Sequence, residues 1–389
     1  MKKLVFDIVI TGHHSEYISH LVDYLEHSSE NGVDYYFVVH PSLDSRFPKI
    51  YEKAKKICNI FWQPITKNEL KKVASSKKIL NSFVQFEIMK KYADQNKVDH
   101  VIALDFHTIK YGCLIYKTKF TISSILFLQF FRLKRNSFLK RIEFYKRYYI
   151  TKWCISNSQV KNIYVLNDID SANFMNKVFK TKCFRVLQDP IPNILPDLNF
   201  NIYRYYKIAN TKKIFLHIGS LGSRKGTLEV INSCLYLEET IQNHIVILLV
   251  GKANIKSEEE EYLKQIRRVN SNTNSQIIWD NDFVGNSKMK SIFNQCEAVL
   301  IPYKNTEFSS GILGHAAASN KIVIATKGGL IEKLVNQFNL GVLLNQPNAE
   351  SIGKAIKYVL DNDFQESFAE KFVNEHNPNS FSEAIFKLN

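Results

Sequence analysis

The sequence predicts an α/β protein of two domains, each built on a parallel β-sheet. The chain has 389 residues, which exceeds what one ordinary hydrophobic core accommodates. Short apolar segments alternate with helical patterns along both halves, and that order is typical of parallel sheets. Between the halves, residues 189–208 contain three prolines and few periodic positions, as a linker does. We therefore predict domains over 1–190 and 211–362, a linker over 191–210 and C-terminal helices over 363–389.

Composition excludes several classes of protein. A hydrophobic fraction of 45% and an aromatic fraction of 13% are typical of a packed globular chain rather than a disordered one. The longest apolar run, 122–131, would cover about half of a bilayer. Asp7 interrupts the one segment that begins like a signal peptide, so we expect a cytoplasmic protein. The six cysteines form no C-x-x-C pair, so neither a disulfide framework nor a zinc site is indicated.

The formal net charge of +15 calls for an anionic partner. Nucleic acid, an anionic membrane and phosphorylated small molecules all carry the matching charge. The sequence contains no recognisable nucleic-acid-binding motif, so we do not expect nucleic acid to be bound.

The first half contains seven apolar segments that predict strands, separated by helical patterns of which 16–30 and 69–92 are the clearest. Ligands of parallel sheets bind outside the carboxyl ends of the strands. Two loops at such ends carry polar residues: Gly12 and His13 follow the first strand, and His107 follows the fourth. The predicted strands are 4–11, 35–40, 60–65, 100–105, 120–126, 163–166 and 184–187.

Residues 127–149 contain seven Lys or Arg and one acid, Glu143. At helical spacing their apolar residues share one face, with a break predicted at 136–137. Two interpretations stay open. Either this face packs on the core and the cations are its solvated side, or the segment rests on an anionic membrane near a lipid-linked acceptor. The residues of the face are Phe127, Phe131, Phe138, Ile142, Tyr145 and Tyr149.

The second half predicts six strands and a glycine-rich loop. Loop 219–226 joins the first of these strands to an amphipathic helix. Its glycines let the backbone approach a ligand, and Arg224 and Lys225 bring positive charge to the same place. Such a loop alone is weak evidence of a phosphate site. The predicted strands are 213–219, 245–251, 276–279, 298–302, 322–325 and 341–344.

Residues 301–320 read IPYKNTEFSSGILGHAAASN and contain the most informative pattern of the chain. A buried strand ends in a polar turn with Glu307, and a helix is predicted to begin at Ser309, Ser310 and Gly311. Serine at a helix start caps free N–H groups, and those groups together with the helix dipole favour a bound phosphate. An acid just upstream can accept hydrogen bonds from a polyol. The pattern therefore predicts a site for a sugar nucleotide.

This segment resembles the donor site of retaining glycosyltransferases of the GT-B fold, which has two Rossmann-like domains facing a cleft (glycosyltransferase family 4, group 1). That family carries two acids separated by seven residues, ending in an Ala-rich helix. Glu307 matches the first acid, whereas His315 stands in place of the second. In the glycine-rich loop, Lys225-Gly226 matches the family pattern, whereas Ser220 stands where the family has Arg.

The resemblance implies the roles of the site residues. Glu307 would orient the sugar, and Arg224 and Lys225 would stabilise the departing diphosphate. Either His13 or His107 would lie near the reacting centre. The acceptor side would consist of Gly12, His13 and His107. The residues implied for donor binding are Gly222, Arg224, Lys225, Phe283, Glu307, Ser309, Ser310, Gly311, Ile312 and His315.

The function that the resemblance implies is transfer of a hexose from a UDP- or GDP-sugar to a hydroxyl of a glycan or lipid-linked acceptor, with retention of configuration. No metal and no cofactor are implied. The expected setting is the synthesis of cell-surface polysaccharide or glycoconjugate, in the cytoplasm or at the inner face of its membrane. Two alternatives stay open: a sugar-nucleotide epimerase or phosphorylase of the same fold, and a non-catalytic partner of another transferase.

Overall fold

The protein divides into two compact units, each an α/β assembly around its own parallel sheet. The computed structural model describes residues 1–28, 32–127, 129–133, 135–307, 310–362 and 369–387. The first unit comprises Met1–Pro190 and Pro378–Asn389, and the second comprises Ile191–Asn377.

Seven parallel strands form the sheet of the first unit in the order β3-β2-β1-β4-β5-β6-β7. All seven predicted strands are present. The inner strands are short apolar runs buried on both faces of the sheet, whereas the edge strands β3 and β7 are only partly buried. Along β1, Val5 points into one hydrophobic core, and Leu4 and Phe6 point into the other. The strands are β1 (Lys2–Asp7), β2 (Asp34–Val39), β3 (Ile60–Pro64), β4 (His100–Ala103), β5 (Thr121–Leu126), β6 (Val160–Leu166) and β7 (Phe184–Leu187).

Helices connect these strands. They are α1 (His14–His27), α2 (Leu43–Arg46), α3 (Pro48–Ala54), α4 (Lys67–Ser75), α5 (Lys78–Asn96), α6 (Phe106–Ile115), α7 (Phe138–Ile155) and α8 (Ile169–Phe179).

The single helix predicted over 69–92 is wrong, because the segment forms α4 and α5. Thr66 begins α4 with a capping box, in which its hydroxyl accepts from the Glu69 N–H and the Glu69 carboxylate accepts from the Thr66 N–H. At the other end, the hydroxyl of Ser76 donates to a carbonyl of the last turn, and the Asn81 amide donates to the Val73 carbonyl. Side chains that take over helix carbonyls end the helix there.

Within the described residues, the basic stretch 127–149 is helical only from Phe138. A helix thus begins at the predicted break at 136–137, but the described part of the stretch ahead of the break contains no helix. The side chain of Ser137 accepts from the Lys140 N–H as the N-cap of α7. Phe127 and Phe131 precede the helix, so their predicted place on one helical face with Phe138 is wrong. The chain ahead of α7 is fixed instead by Phe130, whose buried ring meets Phe144 edge-on at 5.3 Å between centroids.

Six parallel strands form the sheet of the second unit in the order β10-β9-β8-β11-β12-β13. All six predicted strands are present. They are β8 (Lys213–Ile218), β9 (Ile245–Val250), β10 (Gln276–Asp280), β11 (Ala298–Ile301), β12 (Ile322–Thr326) and β13 (Gly341–Leu344). The helices of this unit are α9 (Ile202–Tyr206), α10 (Thr227–Asn232), α11 (Glu239–Gln242), α12 (Lys256–Asn272), α13 (Asn286–Gln295), α14 (Gly311–Ala317), α15 (Gly329–Phe338), α16 (Ala349–Asp361) and α17 (Ala369–Glu375).

The C-terminal stretch 363–389, predicted to return to the first domain, is divided between the units. The last helix, α18 (Pro378–Phe386), belongs to the first unit. In contrast, α17 belongs to the second unit, because Phe372 packs edge-on against Phe338 of α15 at 4.9 Å. Residues 363–368, 388 and 389 lie outside the described part of this stretch.

Both sheets reverse their strand order beside the central strand, at β1/β4 and at β8/β11. In open parallel sheets, the loops that follow the two strands at such a point diverge and leave room for a ligand. The loops in question are 8–13 and 104–105 in the first unit, and 219–226 and 302–310 in the second. The predicted site residues are concentrated in and beside these loops.

Candidate functional site

The glycine-rich loop 219–226 follows β8 and contains one turn of 3-10 helix, Ser223–Lys225. It lies against the loop after β9. At Gly251, which has a φ of +121°, a Cβ would lie 2.1 Å from the carbonyl oxygen of Gly219. Only glycine permits this backbone contact. The buried Thr227 hydroxyl accepts from the Gly222 N–H at 3.1 Å and holds the loop to the start of α10.

Two cations of this loop converge on one aromatic ring. The Lys225 ammonium lies 5.3 Å from the centroid of Tyr303, and the Arg224 guanidinium lies 5.9 Å from the same centroid. Lys225 is buried whereas Arg224 is exposed. Burial, with a further contribution from the Arg224 charge, lowers the pKa of Lys225 to about 8. In the described residues, no carboxylate forms an ion pair with either cation.

The loop after β11 supplies the ring and the predicted acid. Its Lys304 N–H donates to the Arg224 carbonyl at 2.9 Å, so the two loops are joined through their backbones. Glu307 is half-buried, and its N–H donates to the Asn305 side chain at 3.0 Å. The carbonyl of Thr306 accepts from the N–H of Leu330 at 2.9 Å in the turn after β12. Glu307 is therefore held on a loop that is hydrogen-bonded to the loop of both cations, although the two loops are far apart in sequence.

Helix α14 begins at Gly311 with Ser310 as its N-cap residue. The prediction that serine caps this helix is wrong for Ser310, whose side chain makes no capping hydrogen bond. Ser309 lies outside the described residues. The end of the Ile312 side chain would be 3.9 Å from a Cβ at Gly219, which places the first turn of α14 beside the glycine-rich loop.

His315, which replaces the family's second acid, is half-buried on α14. Its ring lies 5.6 Å from the ring of Phe293, which belongs to the core under α13. The imidazole therefore has one apolar neighbour and one partly solvated side. Phe283, predicted to meet the donor, is 82% exposed in the loop after β10. An exposed ring on such a loop can stack on a planar ligand.

In the first unit, His14 rather than His13 is held in a fixed pair. The His14 ring nitrogen lies 2.7 Å from the Asp7 carboxylate, which is nearly inaccessible to solvent at the end of β1. Burial opposes the charge of His14, but the hydrogen bond and charge of Asp7 outweigh it and raise the pKa of His14. His13 is half exposed, and its pKa is raised by a hydrogen bond to Glu16 at 3.4 Å.

His107 lies in the first turn of α6, where its N–H donates to the Asp105 carboxylate at 2.8 Å. Its Nδ1 lies 3.0 Å from the Lys110 ammonium, so the ring accepts a hydrogen bond there and stays neutral. Burial, with Lys110 and Arg147 adding to it, lowers the pKa of His107 to about 3. Burial also raises the pKa of Asp105 to about 6. These groups can orient or polarise a hydroxyl at this edge of the sheet.

Gly12, the other residue predicted for the acceptor side, has a φ of +68° in the loop before α1. A Cβ there would meet no atom within 4 Å, so its side faces open space. The backbone conformation favours glycine, and no side chain crowds this part of the loop. Contact of Gly12, His13 and His107 with an acceptor stays a prediction.

Sequence reasoning missed Tyr303, Asp7 and His14. The sequence places Tyr303 in a turn, and its position beside two cations depends on the contact of two loops distant in sequence. It places Asp7 within the first predicted strand, and no local pattern shows that His14 rather than His13 pairs with it. A strand ending in Asp, followed by His seven residues later at a helix start, is the signal that could have found the pair.

Among the described residues, no group of three or more His, Cys, Asp or Glu is placed to hold a metal ion. Asp168 and Asp170 are two neighbouring acids of the kind that can bind a divalent ion, but Asp168 caps α8 and accepts two hydrogen bonds from Arg132 at 2.6 and 2.7 Å. No helix in the same part of the chain is both long and apolar enough to cross a membrane.

Comparison with known proteins finds a family match within the second unit. Residues 201–376 match the family model described as "Glycosyl transferases group 1". No curated protein matches the sequence of the chain.

Similar folds occur among solved structures. WaaG, a glycosyltransferase involved in lipopolysaccharide biosynthesis, is 11% identical with a TM-score of 0.64, covering 99% of this chain and 100% of that one. Anabaena Alr3699/HepE in complex with UDP is 13% identical with a TM-score of 0.63, and the match covers 100% of this chain and 96% of that one. The α,α-trehalose 6-phosphate synthase of Burkholderia multivorans is 9% identical with a TM-score of 0.71, and the match covers 98% of this chain and 96% of that one. These likenesses confirm the predicted fold of two Rossmann-like domains, the GT-B fold.

Proposed function

We propose that this protein moves a sugar from a nucleotide-sugar donor to an acceptor hydroxyl, because residues 201–376 match the family model of the glycosyl transferases group 1. One observation carries the proposal beyond the family. Lys225 is a buried cation beside Arg224, and within the described residues neither has a carboxylate partner. A buried charge without a counter-ion is costly, so the site is complete only when an anion is bound. A nucleoside diphosphate supplies that anion.

The chemistry of the leaving group explains why both cations are needed. As the bond between the sugar and the diphosphate breaks, negative charge gathers on the departing phosphate oxygen. Arg224 and Lys225 stabilise that charge more in the transition state than in the ground state, which accelerates the reaction. In this proposal the side chains replace a divalent ion, so the reaction is metal-independent.

Glu307 orients the sugar in this scheme, and the product retains the configuration of the donor. The carboxylate is on the loop that carries Tyr303, and it can accept hydrogen bonds from two neighbouring hydroxyls. His315 can make one such bond where a carboxylate would make two. The exposed ring of Phe283 stacks on the base. Complexes of the structurally similar Anabaena protein with UDP and with UDP-glucose support a uridine donor, and a GDP-sugar is the second choice.

We place the acceptor on the first unit, at the loops that hold Gly12, His13 and His107. The acceptor is a glycan or a lipid-linked glycan, and the setting is cytoplasmic synthesis of cell-surface polysaccharide or glycoconjugate. The fixed His14–Asp7 pair belongs to the same edge of the sheet and can hold a hydroxyl in place. The structural likeness to WaaG, a glycosyltransferase involved in lipopolysaccharide biosynthesis, supports this setting.

A donor screen tests the proposal. Binding and slow hydrolysis of UDP-, GDP- and ADP-hexoses are measured with the wild type and with Glu307→Gln. We expect one nucleotide to bind, its sugar to be released, and Glu307→Gln to lose the sugar while keeping the affinity for the free nucleotide. The matched control is Glu350→Gln, an exposed acid paired with Lys354 on α16, which should change nothing.

Product analysis decides between the proposal and its rivals. Release of a free sugar with the anomeric configuration of the donor supports a retaining transferase. Conversion of one nucleotide-sugar into its epimer, or a requirement for inorganic phosphate, would indicate the epimerase or phosphorylase instead. Failure of all three nucleotide-sugars to bind would indicate a non-catalytic partner protein.

A further inference from the structure

Helix α7 turns its apolar face outward. A helix packed on a sheet normally buries its apolar stripe and exposes its polar side. Here the buried residues are only Phe144, Thr151 and Cys154, and large apolar side chains occupy the solvent side. Their exposed fractions are 77% for Phe138 and Leu139, 49% for Ile142, 52% for Tyr145, 47% for Tyr149 and 57% for Trp153.

The exposed side chains form one continuous strip. Phe138, Ile142, Tyr145, Tyr149 and Trp153 follow one another at spacings of three or four residues, so they lie along a single side of the helix. Neighbouring rings touch: centroids are 6.5 Å apart from Tyr145 to Tyr149 and 6.0 Å from Tyr149 to Trp153. An aromatic strip of this length on one helix is unusual for a surface in contact only with water.

The orientation of the strip is fixed by contacts on the opposite side of α7. The Cys154 thiol lies 3.1 Å from the Lys110 carbonyl on α6. Arg147 donates to the Gln129 carbonyl at 3.2 Å and pairs with Glu143. Phe144 packs into the core against Phe130. The helix therefore cannot bury its aromatic strip by rotating without breaking these contacts.

Cations surround the strip. Lys140, Arg141, Lys146 and Lys152 are all exposed on α7, and in the described residues none of them pairs with an acid. The single acid of the helix, Glu143, is occupied by Arg147. Three of these cations, Arg141, Lys146 and Lys152, flank the strip, whereas Lys140 lies on the side of Phe144. The strip and its three flanking cations form a surface that is apolar along its centre and positive at its borders. The protein as a whole adds a net charge of +15.

We propose that α7 binds flat on an anionic lipid bilayer, with the aromatic strip in the headgroup region. Trp and Tyr favour the boundary between headgroups and acyl chains, because their rings are apolar and carry a polar group. Lys and Arg at the borders meet the negative headgroups. The strip is a raised helix side rather than a groove, which fits a planar surface better than a peptide. This inference is independent of the proposed reaction, since it requires no donor.

Vesicle flotation tests the inference with the full-length protein. Wild type is mixed with vesicles of phosphatidylcholine alone, or with vesicles of phosphatidylcholine that contain roughly 40% phosphatidylglycerol, each at about 0.05 and 0.5 M salt. We expect flotation with the anionic vesicles at low salt, weaker flotation at high salt and little with neutral vesicles. In Arg141→Gln/Lys146→Gln/Lys152→Gln, the affinity should fall roughly 100-fold, because each such cation contributes about fivefold.

Two further variants separate the strip from the general charge. Phe138→Gln/Leu139→Gln/Trp153→Gln keeps every cation and should also lose flotation. The matched control Lys264→Gln/Arg267→Gln/Arg268→Gln removes three exposed cations from α12 and should float like wild type. A second control, Leu195→Gln/Leu198→Gln/Ile255→Gln, removes exposed apolar side chains elsewhere and should also float.

Three outcomes would overturn the inference. If wild type stays at the bottom of the gradient with both vesicle types, lipid is excluded as the occupant. If the α12 control loses flotation as fully as the α7 charge variant, net charge alone explains the binding. If sedimentation shows a dimer that the strip variant dissociates and that vesicles do not affect, the strip binds a second copy of the chain. Hydrolysis of the donor is expected to be unchanged in the α7 variants, so failure here leaves the proposed function standing.

Discussion

Replacing Lys225 with Met should make the ligand-free protein more stable while removing its affinity for nucleotide. The side chain is 9% exposed, and no carboxylate in the described residues neutralises it. Met has a similar length and no charge, so it fills the same space without the cost of burying an ammonium. A gain of stability from the loss of a site residue is expected where the site keeps an uncompensated charge for its ligand.

The size of the gain follows from the pKa of the ammonium. Burial lowers it from 10.5 to about 8, and one pKa unit corresponds to about 1.4 kcal/mol. Below pH 8 both the folded and unfolded states carry the charge, so the folded state bears the full cost of about 3 kcal/mol. Between pH 8 and 10.5 the folded state loses the proton first, and the cost falls to about 1 kcal/mol at pH 10. The advantage of Lys225→Met should shrink accordingly.

Urea unfolding at pH 7 and pH 10 measures this advantage, and UDP titration measures the loss of affinity. Arg224→Met is the matched control: it removes a neighbouring cation that is already exposed and only relieves the smaller repulsion with Lys225, so it should be stabilised much less than Lys225→Met. Saturating UDP should stabilise wild type, by about 2.7 kcal/mol at 100 times the dissociation constant, and should not stabilise Lys225→Met. Equal unfolding free energies of wild type and Lys225→Met at both pH values would refute the reasoning.

Three other predictions follow from the same structure. At pH 8 the buried Lys225 is about half protonated in the ligand-free protein, so UDP binding should be accompanied by the uptake of about half a proton. Calorimetry in buffers of different ionisation enthalpy measures this uptake, and an uptake of zero would contradict the prediction. Activity should persist in excess EDTA, since cations of the protein stabilise the diphosphate; a loss that magnesium restores would show that a metal takes part. Arg132→Met should lower the free energy of unfolding by about 3–5 kcal/mol, because it leaves the buried carboxylate of Asp168 without a counter-ion. The control Arg141→Met removes an exposed cation and should change the free energy of unfolding by less than about 0.5 kcal/mol. Similar urea midpoints for the two variants would count against this account.

The strands could be predicted from the sequence because their pattern is local. Each of the thirteen is a short run of apolar residues, most of them β-branched or aromatic, bounded by polar or glycine-containing turns. Helix ends are less local. The end of α4 depends on the Asn81 amide, which reaches back across the turn to the Val73 carbonyl. Periodicity continues through that point, so the pattern gave no sign of the interruption.

The site could be predicted in part. Two adjacent cations in a glycine-rich loop, and an acid after a buried strand, are visible in the sequence as residue types at characteristic places. Their environments are not. Lys225 is buried and Arg224 is exposed, although they are neighbours in the 3-10 turn and both approach the Tyr303 ring. Such a difference arises from contacts between loops about eighty residues apart, which no local pattern encodes.

Helix α7 shows why hydrophobic periodicity gives the face but not its direction. The apolar spacing of Phe138, Ile142, Tyr145 and Tyr149 is equally consistent with packing on a core and with exposure. What decides the direction is that Phe144 and Cys154, on the other side, complete a core already formed by the sheet. Once that side is buried, the aromatic strip has to face outward.

Uncompensated positive charge distinguishes both surfaces that we propose to bind a ligand. At Lys225 it is a buried point charge for a diphosphate, and on α7 it is an exposed border for a lipid surface. Salt separates them, because screening weakens the exposed cations strongly and the buried one much less.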